Sequence, residues 1–382
     1  MFKRTLIAAS MAVAALASAQ SMAAVTGGGA TLPLPLYTTA GVLSSGFDTY
    51  TGGGSGAGKT AFLTNTPSAI GKTANVDFAG SDSVLTAAEL STYASAHNAA
   101  WGPLIQVPSV GTSVAVPFNK AGATAVNLTT AQLCGVFAGT ITNWSQIANS
   151  GSAAPITVVY RAESSGTTEL FTRYLNSRCG SSVPGTFAVT TTFSGSYSGG
   201  LPSNFTPATG SDGVSAALKV ADGRITYLSP DWAATSEAGL ADTAKVAQIN
   251  GASPSTANVS AAVATVSAPA TAAERAVPAN WARTFGTGGI AYPTSGYPII
   301  GFTNLIFSQC YADSTDTSQV LDFLNRHYGV STGTNNDASI KANRFVPMSD
   351  TFKAAVRSSF TSSLSSLSVG RSNVCNGIGR PM

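Results

Sequence analysis

The sequence predicts an α/β protein with enough chain for two domains. Short apolar segments that suit strands alternate with amphipathic segments that suit helices, which is typical of α/β folds. The chain has 382 residues, two domains' worth or one large α/β domain, and 44% of them are hydrophobic. Residues 253–280, rich in Ser, Ala, Thr and Pro, are expected to form a surface excursion within a domain.

Local signals place the individual elements. A capping box at Thr86 predicts a helix through about His97, and a second capping box begins a helix at Thr129. Apolar positions along Val320–Tyr328 predict another helix, which Gly329 should end. The predicted strands are residues 104–107, 113–116, 156–160 and 299–302.

The chain carries few charges. Only 10% of its residues are charged, against about 25% in an average soluble protein, and the formal net charge is +3. No cluster of Lys and Arg is present. Nucleic acid is therefore not an expected partner, because phosphate backbones are held by such clusters.

Residues 1–23 have the pattern of a secretory signal peptide. Lys3 and Arg4 precede an apolar run over residues 6–16, and small residues that suit cleavage follow it. The alternative, a membrane anchor, is disfavoured because this run is too short to span a bilayer. No cysteine follows the run to carry a lipid. The mature chain is therefore expected in the periplasm or outside the cell, without a membrane anchor.

Four cysteines remain after the predicted signal: Cys134, Cys179, Cys310 and Cys375. No two form a C-x-x-C motif, which disfavours zinc binding and thiol redox chemistry. Two disulfides are expected in an oxidising compartment, and three pairings are possible. Local pairing would join Cys134 to Cys179 and Cys310 to Cys375. Buried free thiols are the alternative.

Residues Gly53–Thr60 match the P-loop pattern G-x-x-x-x-G-K-[ST]. A nucleotide site needs a buried strand directly before this loop, and the preceding Phe47–Gly52 is polar. An exported protein also meets little ATP, so nucleotide hydrolysis is disfavoured. Two interpretations are left: a plain Gly-rich loop, or a loop whose backbone N–H groups and Ser55 hydroxyl face a small anion.

A stronger candidate for anion binding begins at Arg161, at the end of the third predicted strand. Ser164 or Ser165 caps the helix that follows. The free N–H groups of Gly166 and Thr167 would point outward with the positive end of the helix dipole, which favours an anion. Arg161 can contact two anion oxygens at once. The alternative is an ordinary capped helix with a surface arginine.

Two further loops carry candidate contacts. Three glycines in Gly27–Pro33 let the backbone approach a ligand closely, and Thr31 supplies a hydroxyl, although a flexible tail is the alternative. Asp82 follows a short apolar strand, where a binding loop is expected. Phosphate near neutral pH carries a proton that a carboxylate can accept, whereas sulfate has none, so Asp82 would select phosphate. The alternative for Asp82 is an acid that caps a loop or a helix.

Together these segments resemble the DING family of phosphate-binding proteins, relatives of the Pst-type periplasmic phosphate-binding protein, over about Gly27–Met382. One departure is the start of the mature chain, where the family's Asp-Ile-Asn-Gly is replaced by Ala24–Gly27. The most specific stretches are Gly27–Pro33, Gly53–Lys59, Leu104–Asn119, Tyr160–Phe171, Gly223–Tyr227, Tyr292–Tyr311 and Asn373–Pro381.

The resemblance implies a two-domain periplasmic-binding-protein fold of the venus-flytrap kind, type II, with phosphate held in the interdomain cleft. Residues 24–112 and 295–382 would form one domain and residues 113–294 the other. The implied partners are inorganic phosphate and an ABC-type phosphate importer, and the implied state is a monomer. The implied ligands are Thr31, Leu32 through its backbone N–H, Ser55, Asp82 as acceptor of the phosphate proton, Arg161, Ser165, Gly166 and Thr167.

Some close relatives within this family carry the name alkaline phosphatase, of the L type, so secreted phosphomonoester hydrolysis is the alternative function. Metal-dependent phosphatases need clustered His and carboxylate ligands. The chain has only His97 and His327, which lie far apart in sequence, each near the end of a predicted helix. A serine nucleophile would need an activating base or metal, and neither Ser83 beside Asp82 nor Ser165 near Arg161 has an obvious one. A binding protein without metal or cofactor is therefore the first expectation.

Overall fold

The computed structural model describes residues 24–180 and 187–380, and the predicted signal peptide lies outside the described residues. The strands are β1 (Gly27–Gly29), β2 (Thr51–Gly52), β3 (Phe78–Ser81), β4 (Leu104–Ser113), β5 (Phe118–Asn119), β6 (Asn127–Leu128), β7 (Thr157–Arg161), β8 (Phe205–Ala208), β9 (Arg224–Ile225), β10 (Gln248–Ile249), β11 (Ile300–Ser308) and β12 (Val346–Pro347). The helices are α1 (Leu34–Thr38), α2 (Ser55–Thr64), α3 (Ala87–Trp101), α4 (Thr130–Ala138), α5 (Gly166–Cys179), α6 (Gly210–Lys219), α7 (Pro230–Ala233), α8 (Glu237–Leu240), α9 (Thr256–Ala264), α10 (Ala272–Arg275), α11 (Pro278–Trp281), α12 (Ser314–His327), α13 (Asp337–Ala342), α14 (Asp350–Phe360) and α15 (Ser372–Cys375).

The larger sheet has six strands in the order β12-β4-β11-β3-β1-β2. The glycine strand β1 lies parallel between β2 and β3. Strand β11 runs antiparallel between β3 and β4. All of these strands lie before residue 114 or after residue 299, so two distant parts of the chain build one sheet.

The smaller sheet has four strands in the order β5-β9-β7-β8, all from residues 118–225. Strand β7 lies parallel to both β8 and β9, and it ends at Arg161. Helix α5 follows β7 and helix α6 follows β8, so both helices begin near the carboxyl edge of this sheet. A separate parallel pair joins β6 and β10.

The capping boxes place two helices as predicted. Thr86 caps α3 and Thr129 caps α4, each with the reciprocal side-chain and backbone hydrogen bonds of a capping box. Helix α3 continues one turn beyond the predicted end, to Trp101. Helix α12 ends at His327, two residues before Gly329.

The bounds predicted for the strands at 104–107 and 113–116 were wrong, because residues 104–113 form the single strand β4. Pro108 lies within it, where a proline normally argues against a strand. The pairing of β4 with β11 shifts at this point, so that Ser109 is an extra residue opposite the Thr303–Asn304 step. A bulge of this kind tolerates a residue that cannot donate to the ladder.

Residues 253–280 lie at the surface as expected, with most positions at least partly exposed, but their buried side chains pack against the larger sheet. Helix α9 packs on β4, where a Cβ added to Gly111 would lie 3.0 Å from Val263 Cγ1. Val259, Val263 and Trp281 are all buried. This low-complexity segment therefore covers one face of the larger sheet. No helix among the described residues has the length and hydrophobicity needed to span a bilayer.

Two disulfides use all four cysteines, in the local pairing that was one of three possibilities. Cys134 of α4 bonds to Cys179 at the end of α5. Cys310, after β11, bonds to Cys375 in α15. The alternative of buried free thiols is wrong for these residues.

Removal of either disulfide should destabilise the protein by up to about 4 kcal/mol in the entropic model, because the closed loops span 45 and 65 residues. The measurement is urea unfolding of the double variants Cys134→Ala/Cys179→Ala and Cys310→Ala/Cys375→Ala. Unchanged unfolding midpoints in both would contradict this expectation.

Candidate anion-binding site

Three helices begin close together, α2 at Ser55, α5 at Gly166 and α6 at Gly210. A Cβ built on Gly166 would lie 2.5 Å from Asp82 Cβ and closer still to Ser55 Oγ, so the first residue of α5 packs directly against the Ser55 hydroxyl of α2 and against Asp82. The first N–H groups of a helix have no acceptor within it and form its positive end. The three starts therefore make one region of positive potential.

The Gly-rich loop presents Ser55 to this region. The carbonyl of Gly29 accepts hydrogen bonds from the N–H groups of Gly53 and Gly54, both at 2.8 Å. Gly54 has a φ of +93°, which glycine adopts without strain. These contacts fix the loop against the end of β1 and leave Ser55 fully buried.

Arg161 ends β7 with its side chain only 2% exposed. Its Nε donates to Glu163 Oε1 at 2.6 Å, and its Nη1 donates to Ser211 Oγ at 3.2 Å. Nη2 lies beside Glu163 Oε1 without hydrogen-bonding geometry, and it has no other acceptor among the described residues. Glu163 therefore orients the guanidinium group of Arg161. One edge of that guanidinium group remains available to donate to an anion. The predicted alternative of a surface arginine does not fit this burial.

Asp82 is a buried carboxyl, 3% exposed, at the end of β3. Its backbone N–H donates to Ser55 Oγ at 3.0 Å, and its Oδ2 accepts weakly from Thr167 Oγ1 at 3.5 Å. Its Oδ1 has no hydrogen-bond donor among the described residues. Burial raises the pKa of Asp82 to about 7, against the opposing effects of the nearby Thr303 hydroxyl and Arg161.

The start of α5 is capped by Ser165, one of the two candidates. Ser165 Oγ accepts from the N–H of Thr168 at 3.2 Å, and the Ser165 N–H donates to Thr191 O at 2.8 Å. Within the described chain the N–H groups of Gly166 and Thr167 have no acceptor. They lie beside Asp82, as the contact at Gly166 shows.

Thr31 and Leu32 follow the glycine strand β1 and are buried, which overturns the alternative of a flexible tail. Thr31 Oγ1 is 2.9 Å from Ser211 Oγ. The N–H of Leu32 has no acceptor in residues 24–180 or 187–380. Hydrogen bonds and close contacts thus bring together six of the predicted residues, namely Thr31, Ser55, Asp82, Arg161, Gly166 and Thr167. The other two, Leu32 and Ser165, lie next to Thr31 and Gly166 in the chain.

Sequence reasoning missed Ser211, which is 1% exposed and links Thr31 to Arg161. It also missed Trp232, whose Nε1 donates to Thr31 O at 3.0 Å. A signal for Ser211 existed, because Thr209–Asp212 begins a helix directly after a strand, as Ser165 does after β7. Trp232 had no such signal.

The P-loop match does not extend to its lysine. Lys59 Nζ is 2.9 Å from Glu89 Oε1 and points into the contact between α2 and α3. The strand before the loop, β2, has only two residues. The loop therefore contributes Ser55 and the start of α2 to the site. Its lysine, Lys59, instead joins α2 to α3 through the ion pair with Glu89.

The two histidines lie in other contacts. His97 stacks on Trp101 with ring centroids 3.8 Å apart. His327 is helix-terminal as predicted, but it is buried, with its ring nitrogens 2.8 Å from Ser109 Oγ and 3.1 Å from Asn336 Nδ2. Among the described residues no three His, Cys, Asp or Glu side chains are grouped to hold a metal ion.

Comparisons with known proteins agree with this geometry. A family model described as a PBP superfamily domain matches residues 14–274. The chain is 58% identical to alkaline phosphatase L of Pseudomonas aeruginosa over 100% of both chains. It is also 58% identical, over 94% of this chain and 100% of the relative, to a phosphate-binding protein from an unknown prokaryotic organism. A solved structure of a high affinity periplasmic phosphate-binding protein, PfluDING, bound with phosphate at pH 8.5, superposes with a TM-score of 0.91 at 57% identity, covering 94% of this chain and 100% of that one.

The chain belongs to the DING group of the PBP superfamily. The predicted family and the predicted fold class of this DING protein are confirmed. The departure at Ala24–Gly27 leaves the described fold unaffected, since Gly27 begins β1.

Gly166→Ala should open the cleft of this DING protein without unfolding it, because the new methyl group would overlap Ser55 and Asp82. We expect phosphate affinity to fall by roughly a hundredfold or more, since the donors on α2 and α5 could no longer reach one anion. Isothermal titration calorimetry measures the change.

The matched control is Gly213→Ala on α6, where an added Cβ meets nothing within 4 Å. This variant should bind as wild type does and be slightly more stable, since alanine favours helix. Equal phosphate affinities of the two variants would refute the tight contact at Gly166.

Proposed function

We propose that this chain binds inorganic phosphate in the cleft where α2, α5 and α6 begin. The proposed ligands are those predicted from the sequence: Thr31, Leu32, Ser55, Asp82, Arg161, Ser165, Gly166 and Thr167. The observation that carries the proposal is the position of Asp82, a buried carboxyl among buried donors to an anion.

The donors supply the affinity. The N–H groups of Gly166 and Thr167 and the free edge of Arg161 provide positive potential in a site that excludes water, where such interactions are strong. Several hydroxyls can each donate one hydrogen. A compact oxyanion with oxygens on all sides can satisfy donors that arrive from three helices.

The carboxylate supplies the selectivity. An ionised Asp82 can only accept hydrogen bonds, so its orphaned Oδ1 suits an oxyanion that carries a proton. Phosphate carries that proton near neutral pH, whereas sulfate would meet uncompensated repulsion. Relatives at 58% identity include one named for phosphate binding, which supports the same ligand.

The strand arrangement supports the predicted division into residues 24–112 with 295–382 and residues 113–294, except that α9 and α11 pack on β4 of the larger sheet. Under this division Thr31, Ser55 and Asp82 belong to the first domain, while Arg161 and the start of α5 belong to the second. Phosphate would bridge the two, and hinge closure would bury it. We propose a periplasmic or secreted location, with an ABC-type importer as the acceptor of the phosphate.

The test of the function is calorimetric titration of mature protein that has been stripped of ligand by unfolding and refolding. At pH 8.5, where Asp82 is ionised, we expect tight one-to-one binding of phosphate and no response to sulfate. Folded protein that gives no heat with phosphate would overturn the proposal.

Asp82→Asn should reduce phosphate-over-sulfate selectivity by roughly tenfold or more, because the amide donates where the carboxylate accepted the phosphate proton. Competition titrations of the two anions measure the ratio. The matched control is Asp77→Asn at the other end of β3, a buried Asp whose pKa burial also raises to about 7. Selectivity lost equally in both variants would show that Asp82 has no special part.

The wild-type selectivity should also depend on pH. The pKa of Asp82 in the unliganded protein is raised to about 7, so its carboxyl becomes protonated, and able to donate, as pH falls through that value. Sulfate binding should therefore appear as pH falls from 8.5 to 5.5 and vanish as pH rises again. In Asp82→Asn sulfate binding should be independent of pH, and a parallel pH dependence in that variant would refute the assignment.

Hydrolysis of phosphomonoesters is the second candidate, since a relative at 58% identity is named alkaline phosphatase L. The serines of the site, Ser55 and Ser165, accept hydrogen bonds from backbone N–H groups, and no histidine lies beside them. Steady turnover of p-nitrophenyl phosphate that survives purification to homogeneity and is abolished by Arg161→Ala would favour an enzyme. Activity that separates from the protein on purification would exclude it.

A further inference from the structure

Thr31 is held by two side chains from the proposed second domain. Its hydroxyl lies 2.9 Å from Ser211 Oγ, and its carbonyl accepts from Trp232 Nε1 at 3.0 Å. Thr31 itself belongs to the loop after β1, in the proposed first domain. These two contacts therefore cross the cleft at a single residue.

Ser211 is placed to orient the Thr31 hydroxyl. Arg161 has only donors, so its Nη1 must donate to Ser211 Oγ across their 3.2 Å contact. Ser211 can then donate its own hydrogen to Thr31 Oγ1, which leaves the Thr31 hydrogen free for an anion. Arg161, Ser211 and Thr31 thus form a chain of hydrogen bonds. Each group donates to the next, and Thr31 can donate to the ligand.

Trp232 packs against residues that belong to the smaller sheet and its helices. Its ring packs against a cluster formed by Val159, Val214 and Leu228, while its indole N–H reaches across to Thr31. The hydrogen bond fixes the backbone of Thr31 directly before Leu32, whose N–H is a proposed ligand. Ser211 and Trp232 thus act on the hydroxyl and on the backbone of one loop.

A second contact between the proposed domains lies close to Trp232 in the chain. Arg344, which follows α13, donates through Nη1 to Thr235 O at 3.1 Å, just beyond α7. Arg344 has a φ of +64°, a costly conformation for a residue other than glycine, and such strain persists only where the surroundings enforce it.

We propose that Ser211 and Trp232 are positioning residues that clasp Thr31 when the cleft closes and so set the rate of phosphate release. This inference rests on the proposed function. Neither side chain is assigned to the ligand set, and both act through Thr31. The clasp, defined as Ser211 and Trp232 with their contacts to Thr31, exists only when the two sides of the cleft meet.

The kinetic consequence follows from that condition. Contacts made only in the closed form slow dissociation and leave the encounter with phosphate unchanged. A neutral hydrogen bond contributes a factor of roughly 2 to 12 to an equilibrium constant. Ser211→Ala and Trp232→Phe should each raise koff for phosphate by about that factor with kon unaltered, and the double variant should be non-additive because both act on Thr31.

The experiment compares these variants with matched controls. Trp144→Phe also removes an indole hydrogen bond, from Nε1 to Gly223 O at 2.9 Å, but within the 118–225 region. Ser215→Ala removes a buried hydroxyl one turn further along α6. Release of radiolabelled phosphate into excess unlabelled phosphate gives koff, and calorimetry gives Kd.

Tryptophan fluorescence supplies a signature that a purely structural role would not produce. Phosphate should change the emission of wild type and of Trp144→Phe, and this change should be lost in Trp232→Phe. Faster release in Ser211→Ala and Trp232→Phe than in both controls supports the clasp. If Trp232→Phe does not fold, Ser211→Ala, which removes one oxygen atom, decides the question alone.

The failures can be told apart. Wild-type protein that binds no phosphate overturns the proposed function and the clasp with it. Wild-type protein that binds phosphate, with release rates in the variants equal to those of the controls, overturns the clasp alone.

Discussion

Two opposite charges are buried at one cleft without forming a salt bridge to each other. Asp82 lies at the end of a strand of the larger sheet and Arg161 at the end of a strand of the smaller one. Buried charge is costly unless surrounding dipoles and hydrogen bonds compensate it. Glu163 compensates the guanidinium, while Thr167 and the starts of α2 and α5 surround the carboxyl. Much of the local architecture follows from this constraint.

The glycines of the cleft serve this arrangement. Gly54 allows the turn that begins α2, and Gly166 allows α5 to approach α2. Larger side chains at either position would separate the helix starts, and the electrostatic compensation would weaken with distance. Compensation of the buried charges therefore depends on the close approach of the backbone that these glycines allow.

Local sequence signals predicted the elements that depend on neighbours in the chain. The capping boxes at Thr86 and Thr129 and the strand that ends at Arg161 were found because their patterns are short and regular. The unbroken strand β4 was missed, since its bulge at Ser109 exists only through pairing with β11. The packing of α9 on β4 is likewise a contact between distant parts of the chain.

The same distinction applies to the cleft. Seven residues were singled out because strand ends, glycines and hydroxyls mark anion sites locally, and the family resemblance added Leu32 and joined them into one set. Ser211 and Trp232 were missed because their relevance comes from contacts with Thr31, which is far away in the sequence. Motif letters also misled in one case, because Lys59 of the P-loop pattern pairs with Glu89 on another helix.

Each disulfide joins segments on the same side of the cleft. Cys134 and Cys179 both lie within residues 118–225, which hold the smaller sheet, and Cys310 and Cys375 both lie in the carboxyl-terminal part that completes the larger one. Each disulfide therefore stabilises the part of the chain that holds its own sheet against unfolding and proteolysis. Neither bond joins one of these parts to the other. Because neither disulfide joins the larger sheet to the smaller one, the proposed hinge closure would not be opposed by either bond.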